Sequence, residues 1–239
     1  AENLPTATII YQELQDHYPG RAGEIVDQLS TDELIALATG DPAKDQGASA
    51  LGSAGQTVPG AAAETVNVAE KDPYNVASIV LADGPAGLRL RSEYQVREDG
   101  SIEGGDFLDG FENGYFAEPK EPTGTVYHQY CTAIPVGTLL AQSWNLDLMK
   151  KLGQMIAGEM NEFEVTLWLA PGMSLHRNPL CGRNFEYYSE DPLLAGRMAS
   201  AMTLGVQSVP GCGTTIKHYA CNNQEDNRMG SDSILSERT

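Results

Sequence analysis

An α/β fold built on a parallel sheet is predicted by three features of this sequence. Short apolar runs alternate with longer helical patterns, the runs are almost continuously apolar, and each stops abruptly at polar or charged residues. Strands that are apolar on both faces must be covered on both faces, which is what helices do on either side of a parallel sheet. A doubly wound sheet and a barrel both satisfy the pattern. The 239 residues suit one large α/β domain or two small ones.

Taken in order, residues 1–29 hold two short helical patterns broken at Pro19 and Gly20 and read as a lead-in or linker. Ser30 followed by Glu33 is a capping box ahead of Leu34, Ile35 and Leu37, so a helix is predicted over 31–39, closed by Gly40. The Ala-, Gly- and Pro-rich stretch 41–70 is predicted as loop. Ser78–Ala82 is the first strand and ends at Asp83-Gly84-Pro85. Residues 92–127 carry Glu93, Glu98, Asp99, Glu103, Asp106, Asp109, Glu112, Glu118 and Glu121, too polar and Gly-rich for a crossover helix, and are predicted as a long acidic loop.

A second strand is assigned to Ala133–Leu140. Leu146, Met149, Leu152, Ile156, Met160 and Phe163 then recur at helical spacing behind Asn145 as N-cap. Val165–Ala170 is the third strand and stops at Pro171-Gly172. Asp191 with Pro192 at the first helical position opens a helix striped by Leu194, Met198, Met202 and Val206. The fourth strand, Thr214–Ile216, runs directly into Lys217-His218.

Composition narrows the function classes. With 33 acidic and 15 basic residues the net charge is −18 and the pI about 4.4, which argues against a nucleic-acid backbone or an anionic membrane as partner. No apolar run reaches the roughly 20 residues of a membrane span, so the chain reads as soluble in a cytoplasmic, periplasmic or secreted setting. Cys131, Cys181, Cys212 and Cys221 are widely spaced and read as free thiols. His17, His128, His176 and His218 show no ligand spacing, so no metal is expected, and no Gly-rich phosphate loop follows any strand.

In parallel α/β folds the site forms at the carboxyl ends of the strands. Asp83 follows the first strand, Arg177 and Arg183 follow the third, and Lys217-His218 close the fourth. A carboxylate, guanidinium groups, an ammonium and an imidazole on one mouth offer both acceptors and donors, which suits a neutral polyhydroxyl ligand.

The blocks LADGPAGLR at 81–89, HRNPLCGRNFEYYSEDP at 176–192 and IKHYACNNQE at 216–225 resemble, in order, the signature blocks of the glycoside hydrolase family 3 β-glucosidases. LSTDELIALATG and VPGAAAET resemble that family's early helix and the loop before its first barrel strand, with Ala63 where the family motif carries Gly. The resemblance implies a (β/α)8 TIM-like barrel of which residues 30–239 are the first half, about four βα units, completed by residues beyond Thr239.

It also implies that Asp83, Arg89, Arg183, Lys217 and His218 contact hydroxyls of the terminal glucosyl ring, with no cofactor. Arg177 would orient its loop, Glu186, Glu190 and Asp191 would hold Arg183 or cap the next helix, and Glu225 would steady the Lys-His pair. The implied reaction is hydrolysis with retention through a glycosyl-enzyme. Its nucleophile Asp, in an SDW-like motif, and its acid/base Glu, from an α/β sandwich domain, are expected outside this chain. The same frame fits a β-xylosidase or a non-catalytic sugar-binding module. No GHG-type loop follows His218 as in the family's N-acetylglucosaminidases. The acidic stretch, with Phe111, Tyr115 and Phe116, reads as a solvated loop, with a lid or a homodimer contact as the sharper alternative.

Overall fold

The structure, a computed structural model, describes residues 21–39, 57–66, 68–71, 74–103 and 124–238. Their helices are α1 (Arg21–Val26), α2 (Thr31–Thr39), α3 (Gly137–Ala141), α4 (Leu146–Glu162) and α5 (Pro192–Val206). Their strands are β1 (Ala63–Glu64), β2 (Val68–Lys71), β3 (Tyr74–Val76), β4 (Val80–Ala82), β5 (Glu93–Val96), β6 (Ile102–Glu103), β7 (Thr125–His128), β8 (Leu167–Trp168) and β9 (Gly213–Thr214). The chain divides into two compact units, one of residues 1–41 and 65–78, the other of 42–64 and 79–239.

The smaller unit holds α1, α2 and the antiparallel pair β2–β3. The capping box forms as predicted, with the Ser30 amide donating to the Glu33 carboxylate at 2.7 Å and the Glu33 amide donating to the Ser30 hydroxyl at 3.4 Å.

The larger unit is organised by a four-stranded sheet in the order β1-β4-β8-β9. β4, β8 and β9 run parallel, with Leu81 opposite Leu167 and Trp168 opposite Thr214. β1 joins β4 antiparallel, Ala63 facing Leu81. Two helices pack into the core beside this sheet. Asn145 caps α4, its side-chain oxygen accepting from the Leu148 amide at 3.0 Å, and Asp191 caps α5, accepting from Leu193 and Leu194. Their apolar stripes supply Met149, Ile156, Met160, Met198, Met202 and Val206, all 0–1% exposed, to a core that also contains Val80, Ala82 and Trp168.

The helices cross at very close range. A Cβ on Gly153 would come within 2.3 Å of the Met202 carbonyl oxygen, and one on Gly205 within 2.2 Å of that of Lys150. Two glycines therefore let the backbones touch.

Four expectations are corrected. The run 133–140 is not a strand: Val136 is extended and caps α3, which buries Leu140 and Ala141, while the Thr138 hydroxyl donates to the carbonyls of Asn184 and Tyr187, both at 2.9 Å. Helix formation there satisfies both core packing and a side-chain tie that a strand would lose. The sheet consequently contains three parallel strands and one antiparallel strand among the described residues, where the sequence pattern suggested four parallel ones. The stretch 41–70 is not wholly loop, since β1 and part of a hairpin lie in it.

The acidic stretch 92–127 is also not a continuous loop. Its ends pair as an antiparallel sheet in the order β6-β5-β7, with Tyr94 opposite and stacked on Tyr127 at 5.5 Å between ring centroids. Local cross-strand pairing stabilises these ends despite their charge. Phe111, Tyr115 and Phe116, with the lid assigned to them, lie outside the described residues, as do most of the lead-in patterns before Arg21.

The cysteines are free. Burial, reinforced by the nearby Glu159 carboxylate, pushes the Cys131 thiol up to about 11, so it stays protonated at neutral pH. No described helix is long and apolar enough to cross a membrane.

Candidate functional site

The site is built on turns that leave the carboxyl ends of the three parallel strands. After β4, Asp83 opens a tight turn in which Gly84 has φ +117°, and a Cβ there would fall 1.9 Å from the Gly87 carbonyl oxygen. Glycine is required by both terms. The Arg89 amide returns to the Asp83 carbonyl at 2.9 Å, closing the turn. From the neighbouring strand, the buried Trp168 indole N–H donates to the Gly84 carbonyl at 2.8 Å. The carboxylate of Asp83 is thus held in register with β8.

Lys217 arrives from the other side. The β8–β9 pairing continues past the strand ends, with the Lys217 amide donating to Pro171 at 3.1 Å and the Met173 amide to the Lys217 carbonyl at 2.8 Å. Its ammonium donates to Asp83 Oδ1 at 2.8 Å, while Arg89 pairs with Oδ2 of the same carboxylate. The Lys217 side chain is 13% exposed and that of Asp83 27%.

Behind this pair the loop after β8 forms a short 3₁₀ turn, Asn184–Glu186. Glu186, 6% exposed, receives the Arg183 Nε–H on Oε1. Its Oε2 accepts no hydrogen bond among the described residues and lies 3.8 Å from the Lys217 ammonium. Arg183 also lies 3.9 Å from Glu225 Oε1, and Glu225 accepts from Asn222 at 2.7 Å and from Arg228 at 3.2 Å. One chain of alternating charge therefore runs from Arg89 through Asp83, Lys217, Glu186 and Arg183 to Glu225.

The electrostatics follow from these contacts. Burial alone would raise the Asp83 carboxyl, but the Lys217 hydrogen bond and the charges of Lys217 and Arg89 outweigh it and hold the group below its ordinary value. Burial, with the charges of Arg183 and Lys217, pushes the His218 imidazole below its ordinary value, so it is neutral at pH 7. The site consequently presents three carboxylates, Asp83, Glu186 and Glu225, against three cations, Arg89, Lys217 and Arg183, with a neutral imidazole beside them. That is a set of hydrogen-bond acceptors and donors on a charge-balanced wall, suited to a neutral ligand bearing many hydroxyls.

Residues 118–236 match the glycosyl hydrolase family 3 N-terminal domain. The chain belongs to glycoside hydrolase family 3.

Among its relatives, the chain is 35% identical over 215 residues to β-glucosidase A of Butyrivibrio fibrisolvens, covering 90% of this chain and 20% of that protein. It is 47% identical over 107 residues to an exo-α-(1→6)-L-arabinopyranosidase of Bifidobacterium breve, covering 45% of this chain and 14% of that protein. The solved structure of β-glucosidase 3B from Thermotoga neapolitana in complex with α-D-glucose superimposes with a TM-score of 0.65 at 40% identity, over 87% of this chain and 24% of that one. The chain spans only 14–20% of the length of these curated relatives.

Within this family 3 chain the structure gathers four of the five predicted contact residues, Asp83, Arg89, Arg183 and Lys217, into one ion-pair network. The fifth, His218, joins through the buried Tyr187, whose hydroxyl lies 2.7 Å from His218 Nδ1. Glu186 holds Arg183 and Asp191 caps α5, while Glu190 is exposed. Glu225 is anchored by Asn222 and Arg228. Arg177 is exposed, and its guanidinium takes no part in the network's ion pairs.

Two residues were missed by the sequence reading, Trp168 and Tyr187. Each was visible only as a member of an apolar run or of a resembling block, and the contact that gives it a role joins positions far apart in the chain.

Proposed function

We propose that this chain forms the first half of a (β/α)8 TIM-like barrel, residues 30–239 with a short lead-in, and supplies the glucose-recognition subsite of an exo-acting, retaining β-glucosidase. The observation that carries this reading is the Lys217–Asp83–Arg89 triplet, in which a carboxylate fixed at the end of one parallel strand is gripped by a lysine delivered two strands away. Such a rigid acceptor with free donors around it binds a sugar hydroxyl in both senses, accepting its proton and donating to its oxygen. Lys217 has three ammonium hydrogens and commits one to Asp83, leaving others for ligand.

The same geometry speaks against Asp83, Glu186 and Glu225 as the reacting carboxyls. Each is held by one or more cations, which lowers nucleophilicity, and the carboxyls of Asp83 and Glu225 are held below their ordinary values, which disfavours either as a protonated acid. In keeping with this, the family resemblance assigns the nucleophile Asp and the acid/base Glu to residues outside the chain, the second to an α/β sandwich domain.

Aryl β-glucoside hydrolysis by the 239-residue chain and by the full-length protein tests this. The full-length protein is expected to be active and the 239-residue chain inactive. Activity in the shorter chain would overturn the placement of the reacting pair. Inactivity of the full-length protein toward every aryl glycoside would replace the reading with a non-catalytic sugar-binding module.

One observation favours a second specificity. The arabinopyranosidase relative acts, by its name, on a pentopyranose, so the frame tolerates a ring without C6. An aryl β-xyloside and an aryl α-L-arabinopyranoside belong in the same assay, and the highest kcat/KM among the three decides.

A further inference from the structure

We infer that Tyr187 is a positioning residue that sets the tautomer of His218, forcing the imidazole to present Nε2–H as a donor to the ligand. The argument starts at Glu225. Its carboxylate can only accept, and the group 2.7 Å from Oε1 is Asn222 Nδ2, which fixes that side of Asn222 as the amide NH2. The same nitrogen lies 2.7 Å from the Tyr187 hydroxyl oxygen. Its two hydrogens therefore serve Glu225 and Tyr187, one each.

Tyr187 Oη, having accepted from Asn222, has its own hydrogen to donate. His218 Nδ1 stands 2.7 Å away. Because His218 is half-buried beside Arg183 and Lys217, its ring is neutral and only one nitrogen carries a proton. Were that proton on Nδ1, the ring would donate to Tyr187 and the phenol hydrogen would have to turn to Ser174, the other side chain bonded to it, whose hydroxyl oxygen already accepts from the His218 amide at 3.4 Å. With the proton on Nε2, all groups in the relay Glu225, Asn222, Tyr187 and His218 are satisfied in one direction.

Surrounding contacts lock the phenol in place. Tyr187 is 0% exposed, its carbonyl accepts from the Thr138 hydroxyl at 2.9 Å, and its ring meets the His218 ring edge-on at 5.8 Å. The Glu225 carboxylate thus determines, through three hydrogen bonds, which nitrogen of His218 carries the proton. The role in sugar recognition rests on the β-glucosidase reading; the tautomer itself does not.

Neutron crystallography of the full-length protein reads the tautomer directly, and the expected result is a deuteron on His218 Nε2 and none on Nδ1. A deuteron on Nδ1 would overturn the inference without any variant having to fold. In Tyr187→Phe the ring shape is kept and the hydroxyl lost; deuterons are then expected on both nitrogens in a mixture, with kcat/KM on an aryl β-glucoside down roughly five- to tenfold. Retention of the Nε2 tautomer alone, or of kcat/KM within twofold, in Tyr187→Phe would reduce Tyr187 to a packing residue. If the unmodified protein hydrolyses no aryl glycoside, the functional reading fails, and the deuteron positions in the two proteins still decide the inference.

Discussion

The α4–α5 layer and the strand-end network are built against the same parallel strands, yet opposite physics holds them. The helical layer is held by non-directional packing of Met, Ile and Ala around two glycines, where what matters is volume. The network is held by paired charges whose worth depends on geometry and on keeping every partner. The layer fixes where strand ends fall, and the network uses those ends. A substitution in the first region is expected to lower stability while sparing recognition, and one in the second to do the reverse.

Asp83→Ala in the full-length protein should show the largest effect. It removes the acceptor at the centre of the site and leaves Lys217 near the buried Glu186 alone. If the hydrogen bonds to the sugar strengthen in the transition state, kcat/KM falls on the order of 10²-fold or more. Steady-state kinetics on an aryl β-glucoside measures it, and a near-wild-type value would remove Asp83 from the site and erase the functional half of the contrast.

In the helical layer, Gly205→Ala is the matching test. The new methyl would lie 2.2 Å from the Lys150 carbonyl oxygen, backbone that cannot swing aside, so the helices must separate. Overpacking of this kind costs about 1–3 kcal/mol, which a denaturation midpoint detects, while KM should change little. An unchanged midpoint would show that the crossing has slack.

These two regions also differ in how legible they were in sequence. α4 and α5 follow from the spacing of Met149, Ile156 and Met160 and of Met198, Met202 and Val206, with Asn145 and Asp191 as caps, because amphipathic periodicity and capping are local properties. The run 133–140 failed for the complementary reason: its apolar content suits either strand or helix, and the Thr138 contacts that decide are some 46 to 49 residues away. In the site, Asp83, Arg89, Arg183, Lys217 and His218 could be singled out from strand ends and block resemblance. Tyr187 and its contact to Asn222 could not, since a hydrogen-bond relay has no spacing rule.

Acidification should separate the regions by a smaller effect. The folded Asp83 carboxyl titrates below its ordinary value of 3.8, so the stability its pairing contributes is present above that value and lost as pH falls through the lower folded one. His218 is also held below its ordinary 6.5; the unfolded chain takes up a proton there first, so stability contributed by the neutral ring declines as pH drops below 6.5. Melting temperature against pH is expected to fall in both windows, with the lower step reduced in Asp83→Asn and the remainder carried by Glu225, which is also held below its ordinary value. An undiminished step in that variant would assign it to other carboxyls. Contacts in the α4–α5 core, being uncharged, should contribute no slope in either window.

Arg177 supplies the smallest expected effect and sharpens where the network ends. It sits in the same loop as Arg183, six residues earlier, and carries the same charge. Arg183 is partly buried against Glu186, whereas Arg177 is exposed and outside the network's ion pairs. A solvated guanidinium without a fixed partner contributes little to stability or to ligand orientation. Arg177→Ala should therefore shift stability by no more than about 0.5 kcal/mol and leave kcat/KM within roughly twofold, while Arg183→Ala, which strands the buried Glu186 carboxylate, should be strongly impaired in both. Equal losses in the two variants would mean that the site extends along the whole 177–183 loop, and that Arg177 swings inward when ligand binds.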